Sequence, residues 1–164
     1  MNNNIFKRSS VRQFTNEPIN QKQIDALLKA AMAAPSAGNQ QPWEFYIITD
    51  SALCTALAAT SPYAGPIAKA SLAIVVCYRD NLKFADYADI DCAIACENIL
   101  LEAADLGLGG VMLGVAPLHQ RMEKVAKVLN LPKEHTAFAM LALGYPLNEV
   151  KPTDRFNPDK VHYR

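Results

Sequence analysis

The segment from Tyr87 to Val115, YADIDCAIACENILLEAADLGLGGVMLGV, decides the fold. Between Tyr87 and Leu106, Ile90, Ala93, Ile94, Ala95, Ile99, Leu100, Ala103 and Ala104 put small and aliphatic side chains on most faces of one helix. A helix without a fully polar face must be enclosed, by its own subunit or by a partner. Gly107, Gly109 and Gly110 end it and lead into a short strand, Val111 to Val115. Asp86, Asp89 and Asp91 near the helix start complement exposed amides and the macrodipole, and are read as capping residues. A long buried helix feeding a core strand predicts an α+β protein.

Working outward, Ile5 to Ser9 reads as a short helix, and Ile24, Leu27, Leu28 and Ala31 recur at helical spacing after Pro18 to Asn20. That second helix should end before Pro35. Trp43 to Ile48 combines aromatic and β-branched residues and predicts a strand, as does the continuously apolar run from Ser71 to Tyr78. A helix over Leu53 to Ala59 separates them. Gln120 to Leu129 reads as a further helix and Ala137 to Gly144 as a further strand. The expectation is one domain over residues 1–164, with helices around a central mixed, mainly antiparallel sheet.

Bulk composition narrows the function. A chain of 164 residues that is 51% hydrophobic can build one substantial core. Sixteen basic residues balance sixteen acidic ones, which argues against nucleic acid and anionic membranes as partners and makes any anion site local. No run reaches transmembrane length without charge. Cys54, Cys77, Cys92 and Cys96 lack metal-site or disulfide-scaffold spacing, so a reducing, cytoplasmic setting is expected and no metal. Neither a GxGxxG nor a GxxxxGK[ST] motif is present, and no Ser-His-Asp spacing suggests a hydrolase. The stretch from Val150 to Arg164 has six charged side chains and three apolar anchors, Phe156, Val161 and Tyr163. Such a stretch cannot build its own core: it is either a disordered tail or an extension lying on another surface, plausibly a second subunit.

Two constellations carry chemistry. Lys7, Arg8, Ser9, Ser10 and Arg12 concentrate three cations and two hydroxyls, a donor set suited to phosphate but also common in solvated turns. The loop from Ala34 to Pro42, which includes Pro35, Ser36, Asn39 and Gln41, offers hydroxyl and amide groups to a planar heterocycle. Trp43 either lines that pocket or starts the core strand.

These motifs resemble the nitroreductase family. Arg8, Ser10, Val11, Arg12 and Phe14 match its opening Arg-x-Ser-Val-Arg-x-Phe pattern, and Pro35, Ser36, Asn39, Gln41, Pro42 and Trp43 match its Pro-Ser-x-x-Asn-x-Gln-Pro-Trp loop. The run from Glu97 to Gly109 is similar to its central helix and glycine-rich exit, Val111 to Gly114 to the strand behind the flavin, and Arg155 to a C-terminal phosphate-binding arginine. The resemblance implies a homodimer with FMN bound by residues of both subunits. Arg8, Ser10 and Arg155 would hold its phosphate, Arg12 its pyrimidine edge, and the backbone of Gly114 and Val115 its central ring, with Ser36 and Asn39 reaching it from the partner. Ser9 stands where many relatives have a second arginine, leaving compensation to Lys7 or Lys151. The flavin-facing Asn and Lys pair of larger relatives has no counterpart around Tyr63 to Lys69. The implied activity is ping-pong transfer from NADH or NADPH through FMN to a small planar oxidised acceptor, a nitroaromatic or quinone. The alternative is a flavin-binding dimer with a storage or partner-linked role.

Overall fold

The computed structural model describes residues 4–164. After a short helix α1 (Asn4–Lys7), helix α2 spans Gln21–Met32. Its start is set by a reciprocal cap: the Asn20 side chain accepts from the Gln23 N–H at 3.1 Å, and Gln23 Oε1 accepts from the Asn20 N–H at 3.1 Å. Ile24, Leu27 and Ala31 are its buried stripe, and the helix stops ahead of Pro35 as the sequence requires. Strand β1 (Trp43–Ile48), helix α3 (Ser51–Ala58) and strand β2 (Leu72–Arg79) follow. Helix α4 (Ala88–Asp105), strand β3 (Gly109–Gly114), helix α5 (His119–Leu129) and strand β4 (His135–Gly144) complete the framework.

The four strands form one sheet in the order β1-β2-β4-β3, with every neighbouring pair antiparallel. Its parallel component is a bridge between Ser10 and Gly110, which lays the N-terminal segment along the outer edge of β3. The α+β reading with a mainly antiparallel sheet holds. Both faces are covered, consistent with the unbroken apolar runs of β2 and β4. On one face Leu72, Ile74, Val76, Phe138 and Leu141 pack with α2 and α4; on the other Val75, Cys77, Val111, Ala137 and Met140 pack with residues of α3 and α5. Each fully buried Leu, Ile or Val there contributes roughly 1.5–3 kcal/mol.

Helix α4 buries Cys92, Ala95, Cys96, Ile99, Leu100 and Ala103 within the chain. Ile90 stays 55% exposed, and Ala93 and Glu97 are exposed with it, so one stripe of the helix is left uncovered by the subunit. At the helix end Gly107 adopts φ +73°, the left-handed conformation that turns the chain toward β3. Gly109 and Gly110 answer a different need, close approach. A Cβ on Gly109 would stand 2.7 Å from Val11 Cγ2, and one on Gly110 would stand 2.6 Å from Leu143 Cδ2. The bareness of Gly109 lets the N-terminal segment press against β3, and that of Gly110 lets Leu143 and Leu100 close over the strand.

Beyond β4 the chain crosses back, donating Leu147 N–H to Gln13 O and Thr153 N–H to Phe6 O. The final stretch includes one 3-10 turn (Pro158–Lys160), and Phe156 and Tyr163 are 78% and 93% exposed. Phe156 and Tyr163 are therefore left largely uncovered by their own chain, whereas Val161 is 42% exposed. No helix among the described residues is long and apolar enough to cross a membrane.

Candidate functional site

The Ser10–Gly110 bridge and the Val11 N–H bond to Gly110 O, 3.0 Å, carry Arg12 to a cavity beside β3. This cavity has a volume of about 460 Å³ and is lined by Arg12, Tyr63, Met112, Leu113, Gly114 and Arg121, among others. That is within the usual range for a small-molecule pocket. The Arg12 guanidinium is steadied by Nη1 donation to Ser10 O at 3.2 Å.

Strand pairing decides which backbone groups of β3 face outward. The Val115 N–H donates to Phe138 O at 3.1 Å, whereas Val11 donates to Gly110 O from the opposite side. By the alternation of an antiparallel ladder, odd-numbered residues here face β4 and even-numbered ones the free edge. Gly114 therefore turns its N–H outward, and a Cβ there would meet only Ala116 O, at 4.0 Å. Val115 is buried and its N–H is occupied, so of the two backbone positions expected to meet a ligand Gly114 is the one whose outward N–H has no partner among the described residues and faces open space.

Ser9, Ser10 and Arg12 line an adjoining cavity, also about 460 Å³, together with Lys151 from the C-terminal segment. Arg8 stands next door, in a cavity of about 400 Å³ beside Gly107 and Gly109. Its Nε is paired with Glu97 Oε1 at 3.2 Å, leaving the two amino groups of the guanidinium without a partner among the described residues. Arg155 is exposed on the C-terminal segment, outside all three cavities. No one of these cavities is lined by Arg8, Ser10 and Arg155 together.

The second constellation lies at the other edge of the sheet. Loop 34–42 leads into β1, which β2 and β4 separate from β3, a span of three strand spacings or roughly 14 Å. Gly38, Asn39 and Gln41 all have positive φ, so the loop is held in a conformation that needs support. Ser36 Oγ accepts from the Gln41 N–H at 2.9 Å, and Gln41 Nε2 donates to Asn39 Oδ1 at 3.2 Å. Pro35, Asn39 and Gln41 are exposed. Trp43 is buried in the core, which settles it as the start of the strand.

Three residues that hold this loop were not singled out as such from the sequence. Asp91, only 2% exposed, accepts from the Ala37 N–H at 3.0 Å and from Gln40 Nε2 at 2.8 Å. This corrects its reading as a capping residue: although in the first turn of α4, it serves the loop. Gln40 is oriented in turn by Phe84, accepting from its N–H at 3.1 Å and donating to its carbonyl at 3.0 Å. Arg79 donates to the carbonyls of Gln40 and Gln41. None of this could be read from residue order, because the partners lie 38 to 54 positions apart. Tyr63 and Arg121 are likewise cavity residues that the sequence did not single out; the unassigned stretch around Tyr63 to Lys69 pointed toward Tyr63, and nothing pointed to Arg121.

Burial shapes the titrating groups. It pushes the thiols of Cys77 and Cys96 up to about 12, and raises those of Cys54 and Cys92, so all four free cysteines are held as thiols. Asp89 is raised by desolvation, and its Oδ1 is buried without a hydrogen-bond partner among the described residues.

Comparison with known proteins identifies this arrangement. The nitroreductase family model matches residues 5–74 and 60–145. A protein of Archaeoglobus fulgidus, provisionally named an NADH dehydrogenase/NAD(P)H nitroreductase, is 40% identical over 164 residues, covering 96% of this chain and 94% of its own. A crystal structure of a provisionally named NADH oxidase from Clostridium acetobutylicum superposes with a TM-score of 0.94 at 40% identity, over 97% of each chain. An FMN-dependent nitroreductase from Clostridium difficile superposes with a TM-score of 0.92 at 26% identity, over 99% of this chain and 98% of that one. The two motif groups and the glycine-rich exit of α4 fall within the matched residues, and the chain belongs to the nitroreductase family.

Proposed function

We propose that this chain is a homodimeric NAD(P)H-dependent FMN oxidoreductase that passes reducing equivalents to a small planar oxidised acceptor such as a nitroaromatic or quinone. Family membership carries the general class of activity. The observation that carries the site is the convergence of Arg12 and the outward Gly114 N–H on one cavity. The donor chemistry fits FMN: a fixed cation for a ring edge that gains negative charge, a backbone donor for a ring nitrogen, and a basic, hydroxyl-bearing segment for a phosphate. When bound, FMN would supply the hydride and electron chemistry that no protein side chain here offers.

Arg12 would stabilise charge at the pyrimidine edge, and Gly114 would orient the ring without adding a competing nucleophile. Arg8 and Ser10 would bind the phosphate, with Ser9 and Lys151 close by and Arg155 completing the grip. Because loop 34–42 and Arg12 stand at opposite sheet edges, Pro35, Ser36, Asn39 and Gln41 would serve the partner's flavin and receive the partner's in exchange. The uncovered stripe of α4 and the bare anchors Phe156 and Tyr163 supply apolar surface for that dimer. We assign residues 150–164 as an arm across the partner, and a reducing, cytoplasmic setting in keeping with four free buried cysteines.

Two experiments test this reading. Anaerobic mixing of FMN-loaded protein with NADH or NADPH should bleach the oxidised-flavin absorbance, and bleaching by neither refutes the oxidoreductase. Mixing Arg12→Ala chains with Asn39→Ala chains should put both defects into one site of each mixed dimer and restore the other. Verified heterodimers that recover nothing, or a sedimenting monomer that binds FMN stoichiometrically, refute the shared site.

A further inference from the structure

Arg121 occupies a boundary. Its Nη1 donates to Gly114 O at 3.3 Å, and its guanidinium carbon lies 5.6 Å from the centroid of the Tyr63 ring, itself 70% exposed. These two contacts hold a cation at the wall of the Arg12 cavity. The same residue lines a second cavity, of about 410 Å³, with Thr60, His119, Gln120 and Lys124.

The chemistry of this second cavity is one-sided. Among the described residues no carboxylate lines it, although the chain carries sixteen acidic residues. The Arg121 guanidinium, the Lys124 ammonium, the His119 imidazole and the Gln120 amide form a donor set for a phosphate monoester, while the buried Thr60 hydroxyl donates to Leu57 O at 2.7 Å and closes the cavity wall. A free ribose diol asks for the opposite, a carboxylate acceptor, whereas an arginine accommodates the 2′-phosphate that replaces it.

We propose that this cavity binds the 2′-phosphoadenosine end of NADPH, with Arg121 as the wall shared between it and the Arg12 cavity, where the nicotinamide would meet the flavin, so that NADPH is the preferred donor over NADH. The inference rests on the oxidoreductase reading above and deepens it by naming the donor. Tyr63 positions Arg121, and no bond is made or broken in the second cavity.

The test uses the FMN-loaded protein. Adenosine 2′,5′-bisphosphate should bind in calorimetry more tightly than adenosine 5′-monophosphate, and Lys124→Ala, which leaves the Arg12 cavity untouched, should weaken it by about tenfold, the loss of one charge-assisted contact. In anaerobic flavin reduction the NADPH concentration giving half the maximal rate should rise by a similar factor, while that for NADH changes by no more than about twofold. Circular dichroism verifies folding; Lys124 is exposed, so its truncation removes no core contact. Failure of the wild-type protein to prefer the bisphosphate, or equal weakening of NADPH and NADH in Lys124→Ala, overturns the assignment. If neither nucleotide reduces the flavin, the oxidoreductase reading falls, whereas the calorimetry still decides the subsite.

Discussion

Replacing Asp91 by Asn tests whether the binding loop is held from the central helix. The carboxylate is 2% exposed and accepts two hydrogen bonds, from the Ala37 N–H at 3.0 Å and Gln40 Nε2 at 2.8 Å. Asn is nearly isosteric but offers only one accepting oxygen. If that oxygen keeps the Ala37 bond, the new NH₂ group points at the Gln40 NH₂, donor against donor. Gln40 cannot flip cheaply, because Phe84 fixes both ends of its amide through bonds of 3.1 and 3.0 Å. Hydrogen bonds to charged groups contribute about 1.5–3 kcal/mol each, and relief of a buried charge offsets part of the loss. We expect a net destabilisation of about 2 kcal/mol, a sizeable share of a typical 5–15 kcal/mol. Urea denaturation at pH 7 measures it, and a double-mutant cycle with Gln40→Ala should show a coupling of about 1 kcal/mol or more. FMN affinity should fall as well, since the mutation loosens the loop that presents Asn39. A stability change within about 0.5 kcal/mol, or strict additivity with Gln40→Ala, would refute this account of the loop.

Gly110→Ala should destabilise the protein by roughly 1–3 kcal/mol in urea, since the added Cβ would meet Leu143 Cδ2 at 2.6 Å and Leu100 Cδ2 at 2.9 Å; a neutral result would mean that the two buried leucine side chains can give way without cost. Arg8→Ala and Arg155→Ala should each weaken FMN binding by about 1–3 kcal/mol and scarcely affect riboflavin; equal losses for both ligands would remove these residues from the phosphate. Asp89 has its folded-state pKa raised above the ordinary 3.8, so the folded state holds the proton more tightly than the unfolded one. Stability should accordingly fall as pH rises from the unfolded value through the raised folded value, then level off. Asp89→Asn should remove that component, raising the urea midpoint at pH 7 more than at pH 3.5, and an equal change at both values would show that Asp89 does not titrate in this way.

Residue order alone determined the elements and the family motifs. The glycines after Leu106, the helical spacing of Ile24, Leu27 and Ala31 and the unbroken apolar runs of β2 and β4 are local or periodic signals, and each element they announce is present with its ends displaced by a residue or two. The same holds for Arg8 to Arg12 and for Pro35 to Trp43, because each motif is contiguous and carries its donor chemistry within a few positions. Tertiary structure decided how these pieces meet. Only strand pairing could show that Gly114 turns its N–H outward while Val115 spends its own on Phe138, since the two are neighbours with the same backbone chemistry. Sheet order set loop 34–42 and Arg12 on opposite edges. Asp91 had a sufficient local explanation in the first turn of a helix, and its bonds to Ala37 and Gln40 became visible only when α4 packed beneath the loop. Tyr63 and Arg121, 58 positions apart, carry no shared motif. Burial, ladder parity and contacts between distant segments are properties of the assembled chain, and sequence periodicity reports only on the segment in which it occurs.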